Sequence, residues 1–182
     1  MADAGRLIAE AHNNPAAFVQ LYRRHYDAVF RYCVHRLFER QTAEDVTSEV
    51  FLKVVQNFAR FDGENEQQFR NWLYRIATNV VNNHLRKTAC RSGLLQRLSE
   101  RTARQTVDCQ RPTERKLELL KEAVFGLKPR YQTIITLRFF ENLKLIEIAE
   151  VLGSSPGTVR NQLARALAKL RRKLAPDFTD YI

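Results

Sequence analysis

The chain has 182 residues, and 30 Lys and Arg against 20 Asp and Glu give it a formal net charge of +10. Hydrophobic residues make up 45% of the sequence, which excludes full disorder, and no apolar run is long enough to insert into a membrane. The first ten residues contain no apolar signal core, so we expect a cytoplasmic protein. The charge predicts an anionic partner, such as nucleic acid, an anionic membrane surface or an acidic protein.

The cysteines and histidines predict neither a metal site nor a cofactor. Cys33, Cys90 and Cys109 are too few and too scattered for a disulfide framework, and we expect reduced thiols. Cys33 and His35 are the nearest approach to a ligand pair. Residues two apart on a helix point about 200° away from each other, so a shared metal ion is not expected there.

The first predicted domain, 1–87, begins with two helices. Helical spacing of apolar residues predicts one helix over 16–38. A second helix is predicted to begin at Thr42, where Thr42 and Asp45 have the spacing of a capping box, and to end before the turn at 62–63. Its apolar face is predicted to contain Val46, Val50, Val54, Val55 and Phe58.

A third helix, predicted over 67–86, has the clearest periodicity of the chain. Its apolar stripe contains Phe69, Trp72, Leu73, Ile76, Ala77, Val80, Val81 and Leu85. The opposite face contains Arg75, Asn79, Asn82, Asn83 and Arg86. Asparagine is a poor helix former, and its amide both donates and accepts, which suits contacts with bases. Two interpretations remain open: a face that binds nucleic acid, and a polar surface rich in Asn. Trp72 lies on the stripe and is predicted to be core, whereas Tyr74 lies off it and could serve either purpose.

Residues 88–112 lose this periodicity and predict a flexible basic linker. Residues 113–182 are again helical and contain 13 basic and 8 acidic residues, a net charge of +5. Within them, 156–174 contains six cations and no acid, and Lys169 and Arg171 to Lys173 are either phosphate contacts or solvated charge. The sequence therefore predicts an all-α protein with two small helical domains, 1–87 and 113–182, joined by a flexible linker.

The strongest local pattern is a helix-turn-helix that begins at residue 146. Gly153 supplies a left-handed stop, Ser155 an N-cap and Pro156 the first residue of a cationic helix. The first turns of such a second helix meet base edges in the major groove of duplex DNA. The outward residues there are Thr158, Arg160, Asn161 and Arg165. The motif also occurs as a scaffold, but the charge favours DNA.

These motifs together resemble those of sigma-70 family sigma factors of the extracytoplasmic-function class. The resemblance rests on AEDV at 43–46, EVFLKV at 49–54, FDGE at 61–64 and FRNWLYRIATN at 69–79, and on EIAEVLG at 147–153 and GTVR at 157–160. It implies a bacterial transcription initiation factor, not itself an enzyme, that binds core RNA polymerase and directs it to promoters. The expected partners are the clamp of the large catalytic subunit, the flap of the other large subunit, promoter DNA and an anti-sigma factor.

The resemblance also implies roles for individual residues. The first domain would dock on polymerase and open the −10 element, and the second would read the −35 element. The implied docking residues are Glu44, Asp45, Glu49 and Lys53. The implied contacts with −10 single strand are Phe61, Arg75, Asn79, Asn82 and Asn83. The implied contacts with −35 duplex are Arg138, Thr158, Arg160, Asn161 and Arg165, with Arg138 on phosphate from the preceding helix.

One feature of the sequence and one alternative function leave other interpretations open. Leu145 and Ile146 stand where many relatives have polar residues, and they could serve the local core or a protein partner. A free-standing helix-turn-helix regulator that binds DNA without polymerase is the alternative function, although it would not need the first domain. An enzyme is not indicated, because the chain offers neither paired carboxylates with a histidine cluster nor a glycine loop that cradles phosphate.

Overall fold

The computed structural model describes residues 2–96 and 112–178, which form helices and turns without a strand. The helices are α1 (Ala2–Ala11), α2 (Pro15–Leu37), α3 (Arg40–Asn57), α4 (Glu66–Gln96), α5 (Pro112–Phe125), α6 (Pro129–Ile135), α7 (Leu145–Leu152) and α8 (Pro156–Phe178). A 3-10 turn, Phe58–Arg60, follows α3, and a π turn, Thr136–Phe140, follows α6. The predicted all-α class with two helical domains is confirmed. Most of the predicted linker lies outside the described residues, while α4 continues into it as far as Gln96.

Helix ends in the first domain are set by side chains that accept bonds from free backbone amides. The Asn14 side chain accepts from the Ala16 amide at 3.0 Å, and Pro15 occupies the first position of α2. The predicted start of α3 at Thr42 is wrong. The helix begins at Arg40 because the carboxylate of Glu39 accepts from the amides of Gln41 and Thr42. A hydrogen bond with the Thr42 side chain, together with these two backbone bonds, favours the ionised carboxylate and lowers the pKa of Glu39.

The core of the first domain lies between α2, α3 and α4, with α1 packed beside them. From α4 it receives the predicted apolar stripe, of which Phe69, Leu73 and Ala77 are almost completely buried. Trp72 is partly buried and packs against this core, as predicted. Val55, predicted on the apolar face of α3, is instead 56% exposed. The buried face of α3 contains Phe51 and Val54, so Val55 is rotated out toward solvent.

The second domain contains the predicted helix-turn-helix. Gly153 ends α7 in the left-handed conformation with a φ of 58°, a region that glycine enters without the clash of a Cβ. The Thr158 amide donates to the Ser155 hydroxyl at 3.1 Å, and Pro156 opens α8. Val159, Ala166 and Leu170 form the buried face of α8. The motif is therefore built from the caps that the sequence predicted.

The two domains are in direct contact. The guanidinium of Arg36, 1% exposed, donates to the Gln132 side-chain oxygen at 2.9 Å and to the Asn82 side-chain oxygen at 2.8 Å. The π turn packs on α2, and α7 packs on α4. Tyr74, whose role the sequence left open, is buried, and its hydroxyl donates a hydrogen bond to the Glu141 carboxylate at 2.6 Å. Apolar residues of both domains consequently join one continuous buried cluster.

Candidate nucleic-acid interface

The first turns of α8 present polar side chains to solvent. The four residues predicted to face duplex DNA, Thr158, Arg160, Asn161 and Arg165, are all exposed. They lie on the side of α8 opposite to Val159, which is fully buried where α8 packs on α7. The Thr158 hydroxyl lies 2.9 Å from the Ser155 hydroxyl, so it also closes the first turn of the helix. This surface has the residue types and the exposure that major-groove contacts require.

Arg138 lies in the π turn and is only partly exposed. One guanidinium nitrogen donates to the backbone oxygen of Leu143 at 3.0 Å, which braces the turn that leads into α7. A guanidinium has five N–H donors, so this bond leaves others for a phosphate.

Leu145 packs against the core and Ile146 is 62% exposed, so the two apolar residues that begin α7 have different surroundings.

The amide-rich face of α4 is turned toward the second domain. A guanidinium nitrogen of Arg75 donates to the backbone oxygen of Glu150 at 2.6 Å. The side-chain oxygen of Asn82 accepts from Arg36. Asn79, one turn before Asn82, is exposed. Two of the residues predicted to contact single-stranded DNA are thus bonded to other parts of the chain.

A cavity of about 600 Å³ opens where this face meets the second domain. Asn79, Asn82 and Arg86 line it from α4, and Arg130 lines it from α6. Beside them, Asn83 accepts a hydrogen bond from Arg86 at 2.7 Å and is exposed. The cavity therefore combines amides, two guanidiniums and apolar walls, which together suit an anionic or base-like group.

Phe61, also predicted to contact single-stranded DNA, is 7% exposed. Its ring lies 4.9 Å from that of Trp72 and 5.6 Å from that of Phe69, measured between centroids. These rings anchor the loop between the 3-10 turn and α4 to the apolar side of α4. In this conformation the ring of Phe61 packs against the rings of Trp72 and Phe69, and little of it is available to a base.

The predicted docking residues lie along α3. Glu44 forms an ion pair with Arg40 at 3.1 Å, Glu49 lies 3.7 Å from Lys53, and Asp45 is exposed. Because these pairs are mostly exposed, each adds little to stability, and the acidic face is free to meet a cationic partner.

Sequence reasoning missed an apolar patch beside these acids. Leu52 and Val55 are 58% and 56% exposed on α3, and Val19 and Tyr22 of α2 are 44% and 37% exposed. An apolar patch next to charged residues is typical of a protein-binding surface. Val55 belongs to the predicted apolar face of α3, whereas Leu52 does not. The available signal in the sequence was that this helix has more apolar residues than one buried face can accommodate.

The described part of the chain contains no group of three His, Cys, Asp or Glu side chains placed to hold a metal ion. The ring of His35 packs at a tilt of 34° against that of Phe140, with centroids 4.0 Å apart. Burial raises the pKa of the Cys33 thiol to about 11, so it remains protonated and poorly nucleophilic.

None of the described helices has the length and apolar character that crossing a membrane requires.

Two family models match the chain: Sigma-70 region 2 over residues 21–90 and Sigma-70 region 4 over residues 117–170. An RNA polymerase sigma factor of Bacillus subtilis, YlaC, is 30% identical over 159 residues, which cover 85% of this chain and 90% of the relative. The chain belongs to the sigma-70 family of RNA polymerase sigma factors. It falls in the extracytoplasmic-function class, since the relative BldN of Streptomyces coelicolor, described as an ECF RNA polymerase sigma factor, is 33% identical over 88% of this chain. The chain spans 61% of the length of BldN.

The solved structures include sigma factors with the same fold. RpoE of Bartonella quintana, in complex with the anti-sigma factor NepR, superposes with a TM-score of 0.66 and 19% identity over 87% of this chain and 96% of that chain. This likeness concerns the fold. In this sigma factor, region 2 corresponds to α2–α4 and region 4 corresponds to α5–α8.

Proposed function

We propose that this sigma factor binds core RNA polymerase and directs it to promoters, with region 4 on −35 duplex and region 2 on −10 single strand. The observation that supports this most is the exposed start of α8. There Arg160, Asn161 and Arg165 lie on a helix with no acidic residue from Pro156 to Leu174. Arginine suits guanine and asparagine suits adenine, so these three side chains would carry sequence preference.

The test of the −35 assignment is Arg160→Ala. Loss of a guanidinium that binds a base should cost about 1–3 kcal/mol and relax preference at one position of the site. Transcription by core polymerase from a mapped promoter, and from promoters changed one position at a time, measures both effects. Arg172→Ala is the matched control, because Arg172 is exposed farther along α8 and should weaken binding uniformly. Unchanged preference in the Arg160 variant would contradict this assignment.

The α4 face is proposed to capture unstacked bases of the −10 element. Amides and guanidiniums beside an apolar wall can hold a base that has left the duplex. Asn79→Ala should therefore impair opening of a duplex promoter more than formation of the closed complex. Permanganate reactivity of thymines measures opening, and a gel shift measures the closed complex. A premelted promoter is the control, and an equal defect on it would argue against a role in opening.

Docking is proposed to use α3, where Glu44, Asp45 and Glu49 offer negative charge and the exposed Leu52 and Val55 offer apolar contact. Such a surface fits a partner with a cationic and apolar groove, which we assign to the polymerase clamp. We also propose contact of region 4 with the flap of the other large subunit. The polymerase would supply the chemistry of transcription, and this chain would act without catalysis.

We further propose that an anti-sigma factor holds this chain and that it acts in the cytoplasm. Support for the anti-sigma factor comes from RpoE, which was solved with an anti-sigma factor.

Gel shifts with and without core polymerase test the main function against a free-standing regulator. Specific promoter binding is expected only with polymerase, and tight specific binding by the free chain would favour the regulator.

A further inference from the structure

The cavity between α4 and the second domain is large enough for a small molecule. Its volume of about 600 Å³ lies within the range of about 300–1,000 Å³ that is usual for ligand pockets. Its lining comes from α4 in the first domain and from α6 and α7 in the second. Clefts between domains are common places for small ligands. The chemistry of the lining determines which ligand this cavity can hold.

The polar lining offers donors rather than acceptors. A guanidinium can only donate, so Asn82 turns its side-chain oxygen to Arg36, and its amide nitrogen is left to donate elsewhere. Arg86 and Arg130 each use one guanidinium nitrogen in a described side-chain bond and keep further N–H groups. Among the described residues that line the cavity, none is acidic. The site therefore favours a ligand rich in acceptors and negative charge.

The two threonines of the lining already have partners. The Thr78 hydroxyl lies 2.8 Å from the Tyr32 hydroxyl, and the Thr133 hydroxyl donates to the backbone oxygen of Pro129 at 3.0 Å. Both threonines are almost completely buried. Asn79, in contrast, is exposed, and its amide can both donate and accept. Recognition of a ligand consequently falls to the amides and the guanidiniums.

The remaining wall of the cavity is apolar. Leu85 of α4 and Val151 and Leu152 of α7 contribute to it. An inorganic anion would leave this wall in contact with water, whereas a flat ring would cover it. The site thus asks for charged oxygens at the guanidiniums, a ring at the apolar wall and a hydrogen-bonding edge at the amides. A nucleotide has all three.

We propose that the cavity binds a free nucleoside phosphate, with the phosphate at Arg86 and Arg130 and the base between the amides and the apolar wall. The ligand contacts both domains, so it stabilises the form in which they are joined. This inference goes beyond the proposed function, because the ligand is a single free nucleotide and not promoter DNA. Asn79 and Asn82 are also proposed to bind the −10 strand, and the two ligands therefore compete for these amides.

Isothermal titration calorimetry on the full chain without DNA tests the proposal. The probes are AMP, GMP, CMP and UMP at about 0.15 M salt, which screens weak contacts between exposed charges. At least one nucleotide should bind with one site per chain. The corresponding nucleoside and inorganic phosphate should each bind at least about tenfold more weakly, because each satisfies only part of the lining.

Two variants alter the cavity from different domains. Arg86→Ala should raise the Kd for the nucleotide about tenfold, as expected for the loss of a hydrogen bond between charged groups. Leu152→Phe should raise it by a similar factor, because the larger side chain occupies space that the base needs. Arg23→Ala is the matched control, since it removes the same charge from an exposed residue of α2 outside the lining, and its Kd should be unchanged. Circular dichroism verifies that each variant is folded.

The outcomes separate this inference from the proposed function. The proposal is overturned if no nucleotide saturates the chain up to roughly 1 mM, if inorganic phosphate binds as tightly, or if Arg23→Ala loses as much affinity as Arg86→Ala. A labelled single-stranded −10 oligonucleotide that needs Arg86, when no free nucleotide binds, would assign the cavity to the promoter strand. That result overturns the free ligand and leaves the proposed function intact. Nucleotide binding that both cavity variants weaken supports the site, whatever effect Asn79→Ala has on promoter opening.

Discussion

Arg36 joins three helices through one buried guanidinium, and its replacement by methionine should loosen the contact between the domains. The side chain is 1% exposed. Its two bonds reach Asn82 of α4 and Gln132 of α6. Gln132 in turn donates to the backbone oxygens of Phe125 and Leu127 at 2.7 and 3.0 Å, so its orientation is fixed. Arg36→Met keeps most of the volume and removes both bonds.

The expected cost follows from three terms. A hydrogen bond to a charged group contributes about 1.5–3 kcal/mol, so two give roughly 3–6 kcal/mol. Removing a buried guanidinium that has no carboxylate among its described partners returns part of this, because burying it costs several kcal/mol. Asn82 is partly exposed and can bond to water, whereas the buried Gln132 oxygen is left without a partner at about 1–3 kcal/mol. The net loss should be about 2 kcal/mol.

Urea unfolding followed by the fluorescence of Trp72, the single tryptophan, measures the loss in the first domain. The double variant Arg36→Met with Gln132→Met should be less destabilised than the sum of the single variants by about 1 kcal/mol or more, because the orphaned oxygen is gone. Arg24→Met is the control, since its ion pair with Glu66 is exposed at 3.8 Å and should contribute less than about 1 kcal/mol. Additivity within about 0.5 kcal/mol would refute the coupling of the two domains through Arg36.

Two further predictions concern region 4. Burial raises the pKa of Glu141 despite opposing contributions from Tyr74, Arg31 and Arg70, so the native state holds this proton more tightly and loses stability as pH rises from about 4.5 through the native pKa. Calorimetry should show Glu141→Gln gaining in Tm relative to the parent chain as pH rises from 4 to 7, and a constant difference would contradict the pKa shift. Gly153→Ala should lower the unfolding free energy by about 1–2 kcal/mol through left-handed strain alone, since an added Cβ meets no atom within 4 Å. Gly153→Asn should recover part of this loss, because asparagine tolerates the left-handed conformation better than alanine. Thermal unfolding measures both variants, and stability equal to that of the parent chain in both would count against strain.

Local patterns predicted most of the elements because the interactions that form them are local. The stripe of α4 was readable from spacing, and its buried members include Phe69, Leu73 and Val81. The turn of the helix-turn-helix was readable from Gly153 and Ser155, each of which acts on neighbouring backbone atoms. The start of α3 was missed because Glu39 reaches forward with a side chain that is less common as a cap than Thr.

Contacts between distant residues were not readable in the same way. Tyr74 and Glu141 are 67 positions apart, and no periodicity joins them. Arg36 lies on a helix with other basic residues, and its burial depends on Gln132, 96 positions away. The predicted residues of the −10 face were found as a pattern, but the bond from Arg75 to the backbone oxygen of Glu150, 75 positions away, was not.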